Sequence, residues 1–220
     1  LLYREIMISR FRDMRERIEQ RAVEREKKMG KILTRTPQLL SCALLYACMS
    51  MPLFFTANAG ALLNNSIAVK LCVILTWLGF IGGALGDFTK TIVKGRAEDS
   101  ENKLVTEGIF KFLRHPNYSG EQLGWSANFV AALSAILTVV RQGNVTSVYG
   151  SKIKITAGLG MSLLGLVGIM FVLMRATTVL EQRQKEKYGE NKSYGDWVKS
   201  SWAGLCLPGK KSAGTVKKGQ

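Results

Sequence analysis

At 220 residues the chain is long enough for one domain, and it carries 31 Lys and Arg against 16 Asp and Glu, a formal net charge of +15. Charges are nearly absent from four long windows and crowded between them. That is the pattern of an all-α, polytopic membrane protein with about four transmembrane helices, so the positive excess is read as facing anionic lipid and nucleic acid is set aside. Cysteines at 42, 48, 72 and 206 show no CxxC or Cys/His spacing, which argues against a zinc site or disulfide framework and leaves inert thiols.

Residues 1–36 hold 11 Lys and Arg and 6 Asp and Glu, with Met7, Phe11, Met14 and Ile18 at spacings of four, three and four. The spacing predicts a basic amphipathic helix with a narrow apolar stripe, one that lies on a membrane surface, packs against a partner protein, or folds back on its own domain. Pro37 is expected at the first helical position of the first span. Residues 38–57 are uncharged, enough to cross a hydrocarbon core of about 30 Å at about 1.5 Å per residue. Pro52 is expected to kink that helix. A short uncharged turn, 58–66, leads to a second span over 67–86, whose Gly79/Gly83 and Gly82/Gly86 pairs predict close helix packing. A polar connection over 87–117 leads to a third span near 119–140, then a Gly/Asn/Ser loop over 141–153 and a glycine-rich fourth window near 155–180. Residues 37–208 are thus expected to form the membrane domain and 209–220 a basic flexible tail.

Lys and Arg number 11 before the first span, 6 in the 87–117 connection and 9 after Leu180, against none in 58–66 and 2 in 141–153. The positive-inside rule then places both termini and the 87–117 connection on one cytoplasmic-equivalent face. Endoplasmic reticulum and plastid membranes both stay open as the organelle.

The densest chemistry lies in KLVTEGIFKFLRHPNYSGEQLGW, residues 103–125, at a membrane boundary. His115 is the only histidine, between Arg114 and Pro116. A lone histidine is more often structural than catalytic, but here Arg114, Pro116, Tyr118 and Gly120 share its setting. Arg114 only donates and stays charged, whereas His115 donates or accepts near neutral pH. Pro116 is expected to hold His115 out of the helical region, and Gly120 lets a ligand or a helix approach the backbone.

The pattern LVT-x-G-x-(F/Y)-x-x-x-RHP-x-Y-x-G resembles the superfamily of isoprenylcysteine carboxyl methyltransferases and phospholipid methyltransferases. The spelling PNY-x-GE, with Asn117 and Glu121, resembles its steroid 5α-reductase-like branch. Farther on, Glu181, Lys187-Tyr188-Gly189, Tyr194-Gly195-Asp196-Trp197 and Leu207-Pro208 resemble the C-terminal signature, in which an acidic pair precedes spaced aromatics and a late proline. Leu180 stands where many members carry the first acid. The resemblance covers roughly residues 66–208.

The resemblance implies a cofactor site of Arg114, His115, Pro116, Tyr118, Gly120 and Glu181, with Asn117, Glu121 and Arg175 as further candidates. No catalytic residue is assigned. Arg175 enters because an ionisable side chain in an apolar window needs a polar cavity, a partner or an interface to reach. The leading expectation is a methyltransferase moving a methyl group from S-adenosylmethionine to a lipid-like or prenylated acceptor, which needs mainly alignment and no dedicated base. An NADPH-dependent reductase of a sterol or isoprenoid is the alternative. A third is a non-catalytic subunit of a membrane complex, suggested by Leu180 and the long basic N-terminal segment.

Overall fold

A computed structural model describes residues 9–96 and 103–207, and every element among them is a helix. In chain order these are α1 (Ser9–Met29), α2 (Lys31–Ala59), a 3₁₀ turn (Gly60–Leu63), α3 (Ile67–Gly95), a second 3₁₀ turn (Gly108–Lys111), α4 (Pro116–Arg141), α5 (Val145–Tyr149), α6 (Lys152–Tyr188) and α7 (Lys192–Ser200). Four stretches are long and apolar enough to cross a membrane: Thr36–Leu63, Ile67–Gly95, Pro116–Arg141 and Lys152–Tyr188. The all-helical, four-span expectation therefore holds. The 209–220 tail lies outside the described residues.

The chain divides into two units at Ala47/Cys48. In the first, α1 ends at Gly30, whose φ of 78° suits a residue without Cβ, and α2 begins at Lys31. Pro37 therefore lies well inside α2 and does not open it. Of the expected apolar stripe, Ile18 is exposed. Met7 and the side chains of Phe11 and Met14 lie outside the described residues.

In the second unit, the middle of α3 turns small residues inward and large apolar ones outward. Gly79, Gly83 and Gly86 are the buried positions of α3's middle, while Leu71, Ile74, Trp77, Leu78, Ile81 and Leu85 are exposed. A helix of this kind suits a lipid surroundings, where close backbone packing holds neighbours together. The seam between α3 and α4 shows it directly. A Cβ on Gly79 would stand 2.5 Å from the Gly120 carbonyl oxygen and 2.7 Å from the Gly124 nitrogen. One on Gly86 would stand 2.5 Å from the Pro116 ring. Gly82 is different: it has nothing within 4 Å, so the Gly82/Gly86 pair does not share one packing role.

Two cores close the ends of the bundle. Phe55, Ala59, Leu63, Val69, Ala132, Ala135, Ile136, Val139 and Tyr149 form one. It holds α5, a short helix inside the stretch expected to be plain loop: the buried Tyr149 hydroxyl donates to the Phe55 carbonyl at 3.1 Å. Burial pushes that phenol up to about 12. At the other end Val105, Phe110, Tyr194 and Trp197 pack together, and the Trp197 indole donates to the Phe110 carbonyl at 2.6 Å. This second core fixes α7 against the connection that leads into α4.

Candidate functional site

His115 is the N-cap of α4 with φ −131° and ψ 65°, outside the helical region as the following proline requires, and Pro116 takes the first helical position. The residues just before it are held by the C-terminal segment. The Trp202 amide donates to the Phe112 carbonyl and the Arg114 amide donates to the Trp202 carbonyl, both at 2.8 Å, with an isolated parallel bridge between Leu113 and Trp202. Arg114 adds side-chain bonds from Nη1 to the Val198 carbonyl at 2.9 Å and to the Ser201 carbonyl.

Its Nε turns the other way, to Glu181 Oε1 on α6 at 2.9 Å. His115 Nε2 meets that same oxygen at 2.7 Å. A carboxylate oxygen only accepts, so Nε2 carries the proton in this pair. His115 is 3% exposed, and the Glu181 side chain 24%. Thus three of the expected site residues, separated by up to 67 positions, converge on one atom. The acid that follows Leu180 is engaged by two donors. Nearby, burial pushes up both the Tyr194 phenol and the Cys206 thiol, with the charge of Glu181 adding to each.

Tyr118 lies one turn into α4, its ring 6.3 Å from that of His115. It makes no hydrogen bond among the described residues, and the charges of Glu121 on its own helix and of Asp87 on α3 are both felt at it. Asp87 acts on Glu121 as well, while the Trp125 indole N–H lies close to Glu121 without a well-aligned bond. Asp87 was not expected here. It sits in the part of α3 that extends past the expected end of the span, as far as Gly95.

The remaining expectations divide. Gly120 admits a helix: a Cβ there would run into the Gly79 carbonyl and the Gly83 nitrogen, so α3 occupies the approach expected for cofactor. Pro116 is buried against Gly86, and Asn117 presents its backbone to Gly83. Arg175 is exposed on α6 and is not drawn into the cluster.

A groove of about 490 Å³ opens beside the cluster on the far side of α4. Its walls are mainly apolar, with Leu78 and Gly82 from α3, Leu113, Pro116 and Leu123 from the motif and α4, and Trp202 and Leu205 from the C-terminal segment. That segment is strapped down by Gln122, which donates from Nε2 to the Leu205 carbonyl at 3.0 Å and accepts from the Leu205 amide at 3.2 Å. Thr178 accepts from the Leu207 amide at 3.0 Å. Sequence reasoning missed Gln122 and Ser119. The available signal was the spacing of Ser119, Gln122 and Ser126 along one face of an otherwise apolar helix.

No metal-ligating group of three or more residues occurs among the described residues. Comparison with curated proteins and with solved structures finds no match. The model of one family, described as protein of unknown function (DUF1295), matches residues 8–201. With nearly its whole length matched, the chain belongs to that family.

Proposed function

We propose that the protein is an integral membrane reductase that uses NADPH to saturate a double bond in a sterol-like or isoprenoid substrate. The observation that carries this reading is the closure of Arg114 and His115 on Glu181. The carboxylate that a sulfonium cofactor would face is already engaged, and Tyr118 is left as the motif's available proton donor. The association of the family with steroid 5α-reductase-like proteins supports the same choice.

A reducing nicotinamide, when bound, supplies a hydride. The residues that would hold the nicotinamide lie at the entrance of α4, and Arg96, Lys103 and Lys111 in the connection before it would suit its phosphates. Tyr118 gives its proton to the atom of the double bond next to the one reduced. Glu121, backed by Asp87, returns a proton to the phenolate, so one hydride and one proton are added in all. Arg114, His115 and Glu181 hold α4, α6 and the C-terminal segment in register around that step.

One observation favours methyl transfer as a second reading: the charges of Asp87 and Glu121 both act at Tyr118, an acidic field that suits the sulfonium of S-adenosylmethionine. Calorimetric titration of the purified protein with each cofactor separates the two. NADPH binding without S-adenosylmethionine binding supports reduction, the reverse outcome supports methyl transfer, and binding of neither leaves the non-catalytic reading. By charge distribution, we place the motif and both termini on the cytoplasmic-equivalent face against anionic lipid.

A further inference from the structure

The segment after α7 is neither helix nor strand, yet the protein itself meets much of its polar backbone. The Trp202 amide donates to the Phe112 carbonyl, and the Trp202 carbonyl accepts from the Arg114 amide. Gln122 accepts from the Leu205 amide and donates to the Leu205 carbonyl, and the Leu207 amide donates to Thr178 Oγ1. A loop in water has no need of this, because solvent completes its bonds, whereas at the edge of hydrocarbon the backbone has to be satisfied internally. The side chains point to the same setting. Trp202 is 55% exposed, Leu205 46%, and Phe112, next to the bridge between Leu113 and Trp202, 72%. Trp197, five residues earlier, is by contrast buried and bonded to the Phe110 carbonyl.

Depth indicates what lies against these side chains. Gln122 stands six residues past Pro116, the first residue of the α4 span, about 9 Å along the axis at 1.5 Å per residue. Thr178 stands ten residues before Tyr188, the last residue of the α6 span. Bonded to these two, Leu205 and Leu207 lie inside the ends of both spans and not beyond them. Trp202 and Leu205 are also continuous with Leu78 of α3 and Leu123 of α4, exposed side chains of membrane-spanning helices that line the same groove. The chain that follows adds charge, since residues 208–220 contain four lysines and no acidic residue, a composition attracted to an anionic leaflet.

We propose that residues 201–207 are set into the acyl–headgroup boundary of the cytoplasmic-equivalent leaflet, with Trp202 and Leu205 against lipid chains and the lysines that follow adding attraction to anionic headgroups. An amphipathic tryptophan suits that depth. Because the Arg114 amide and side chain grip this segment, the bilayer supports the Arg114–His115–Glu181 cluster from outside. The surface rests on the membrane assignment alone and is independent of the reductase reading.

Tryptophan fluorescence of the full chain in nanodiscs, without nucleotide or substrate, tests this surface. The discs contain anionic lipid, with or without bromine on the upper acyl carbons, and acrylamide serves as the quencher from water. Emission of the wild type minus that of Trp202→Phe isolates Trp202, while Trp77, exposed on α3, stays in both proteins as the lipid-facing reference. The Trp202 component should be blue-shifted, strongly quenched in brominated discs and little changed by acrylamide. Leu205→Trp in the Trp202→Phe background should restore emission that brominated lipid again quenches, so a second position reports where the first difference is small. Both substitutions alter outward-facing side chains and should leave the thermal midpoint unchanged. A Trp202 component quenched by acrylamide and spared by bromine places the segment in water. One spared by both places it under protein, a second copy or a partner, and either result overturns the proposal. Nucleotide has no part in the readout, so failure here and failure of NADPH binding are told apart.

Discussion

Glu181 joins two parts of the chain that the sequence keeps far apart, because one of its oxygens accepts from both Arg114 and His115. Glu181→Gln should lower stability by about 2 kcal/mol, the loss of charge-assisted bonds in a partly buried site, as read by denaturation in detergent. Arg114→Ala should cost more, since Nη1 also holds the carbonyls of Val198 and Ser201. A milder effect for Arg114→Ala than for Glu181→Gln would mean that the C-terminal segment does not depend on that anchor. This grouping was legible in the sequence through the RHP motif and the acid near the C-terminal aromatics. Asp87 was not, because a single acid just past an apolar window reads as the start of a loop. Arg175 was open to a cavity, a partner or an interface from its place in an apolar window, and its exposure on α6 fits the interface. Tyr149 offers a test by pH. Its phenol, at about 12, holds its proton longer in the folded than in the unfolded chain, so its contribution is intact below about pH 10 and is lost as pH rises toward 12. Tyr149→Phe should keep the edge-on contact with Phe55, lose about 1 kcal/mol at pH 8 with the hydroxyl's bond, and show a shallower alkaline fall in denaturation curves between pH 9 and about 12.

The α3–α4 seam is built from the absence of side chains. Gly79→Ala or Gly120→Ala would force backbone apart and should cost about 1–3 kcal/mol or more, whereas Gly82→Ala, in open space, should be neutral or slightly stabilising. Thermal midpoints of the three variants check this, and equal losses at Gly79 and Gly82 would contradict the seam. The pairing of Gly79 with Gly83 was readable from its four-residue spacing. That Gly82 faces a groove was not, since the same spacing with Gly86 fits either surface until the partner helix is placed. Prolines were legible in part. Pro116 starts α4 as its type suggests, but Pro37 lies within α2, because the helix there continues back to Lys31. Pro52 also lies within α2, and the Cys48 carbonyl that it cannot engage is the surface on which Gly165 of α6 packs, with a virtual Cβ only 2.7 Å from that oxygen. The helices α5 and α7 escaped notice because five- and nine-residue segments carry too little periodicity to stand out from loop.

At the scale of the whole molecule, four apolar helices and a lopsided distribution of Lys and Arg predict that the motif and both termini share one face. Cysteines introduced at positions 62 and 146 should then react with an impermeant reagent only from the side opposite the C-terminus, and labelling from the same side would invert the assignment. The number of spans was legible from apolar length alone, whereas the groove depends on how the 202–207 segment returns across α4, which composition does not encode. The account as a whole stands on Tyr118 as the proton donor of an NADPH-dependent reduction. The direct measurement is NADPH oxidation by wild type and Tyr118→Phe in nanodiscs holding an isoprenoid enone, with nucleotide affinity measured in parallel. The account predicts that the variant keeps its affinity for NADPH and loses about a hundredfold or more in turnover, the scale of one positioned acid; turnover within twofold of wild type, or no NADPH-dependent reduction by either protein, would contradict it.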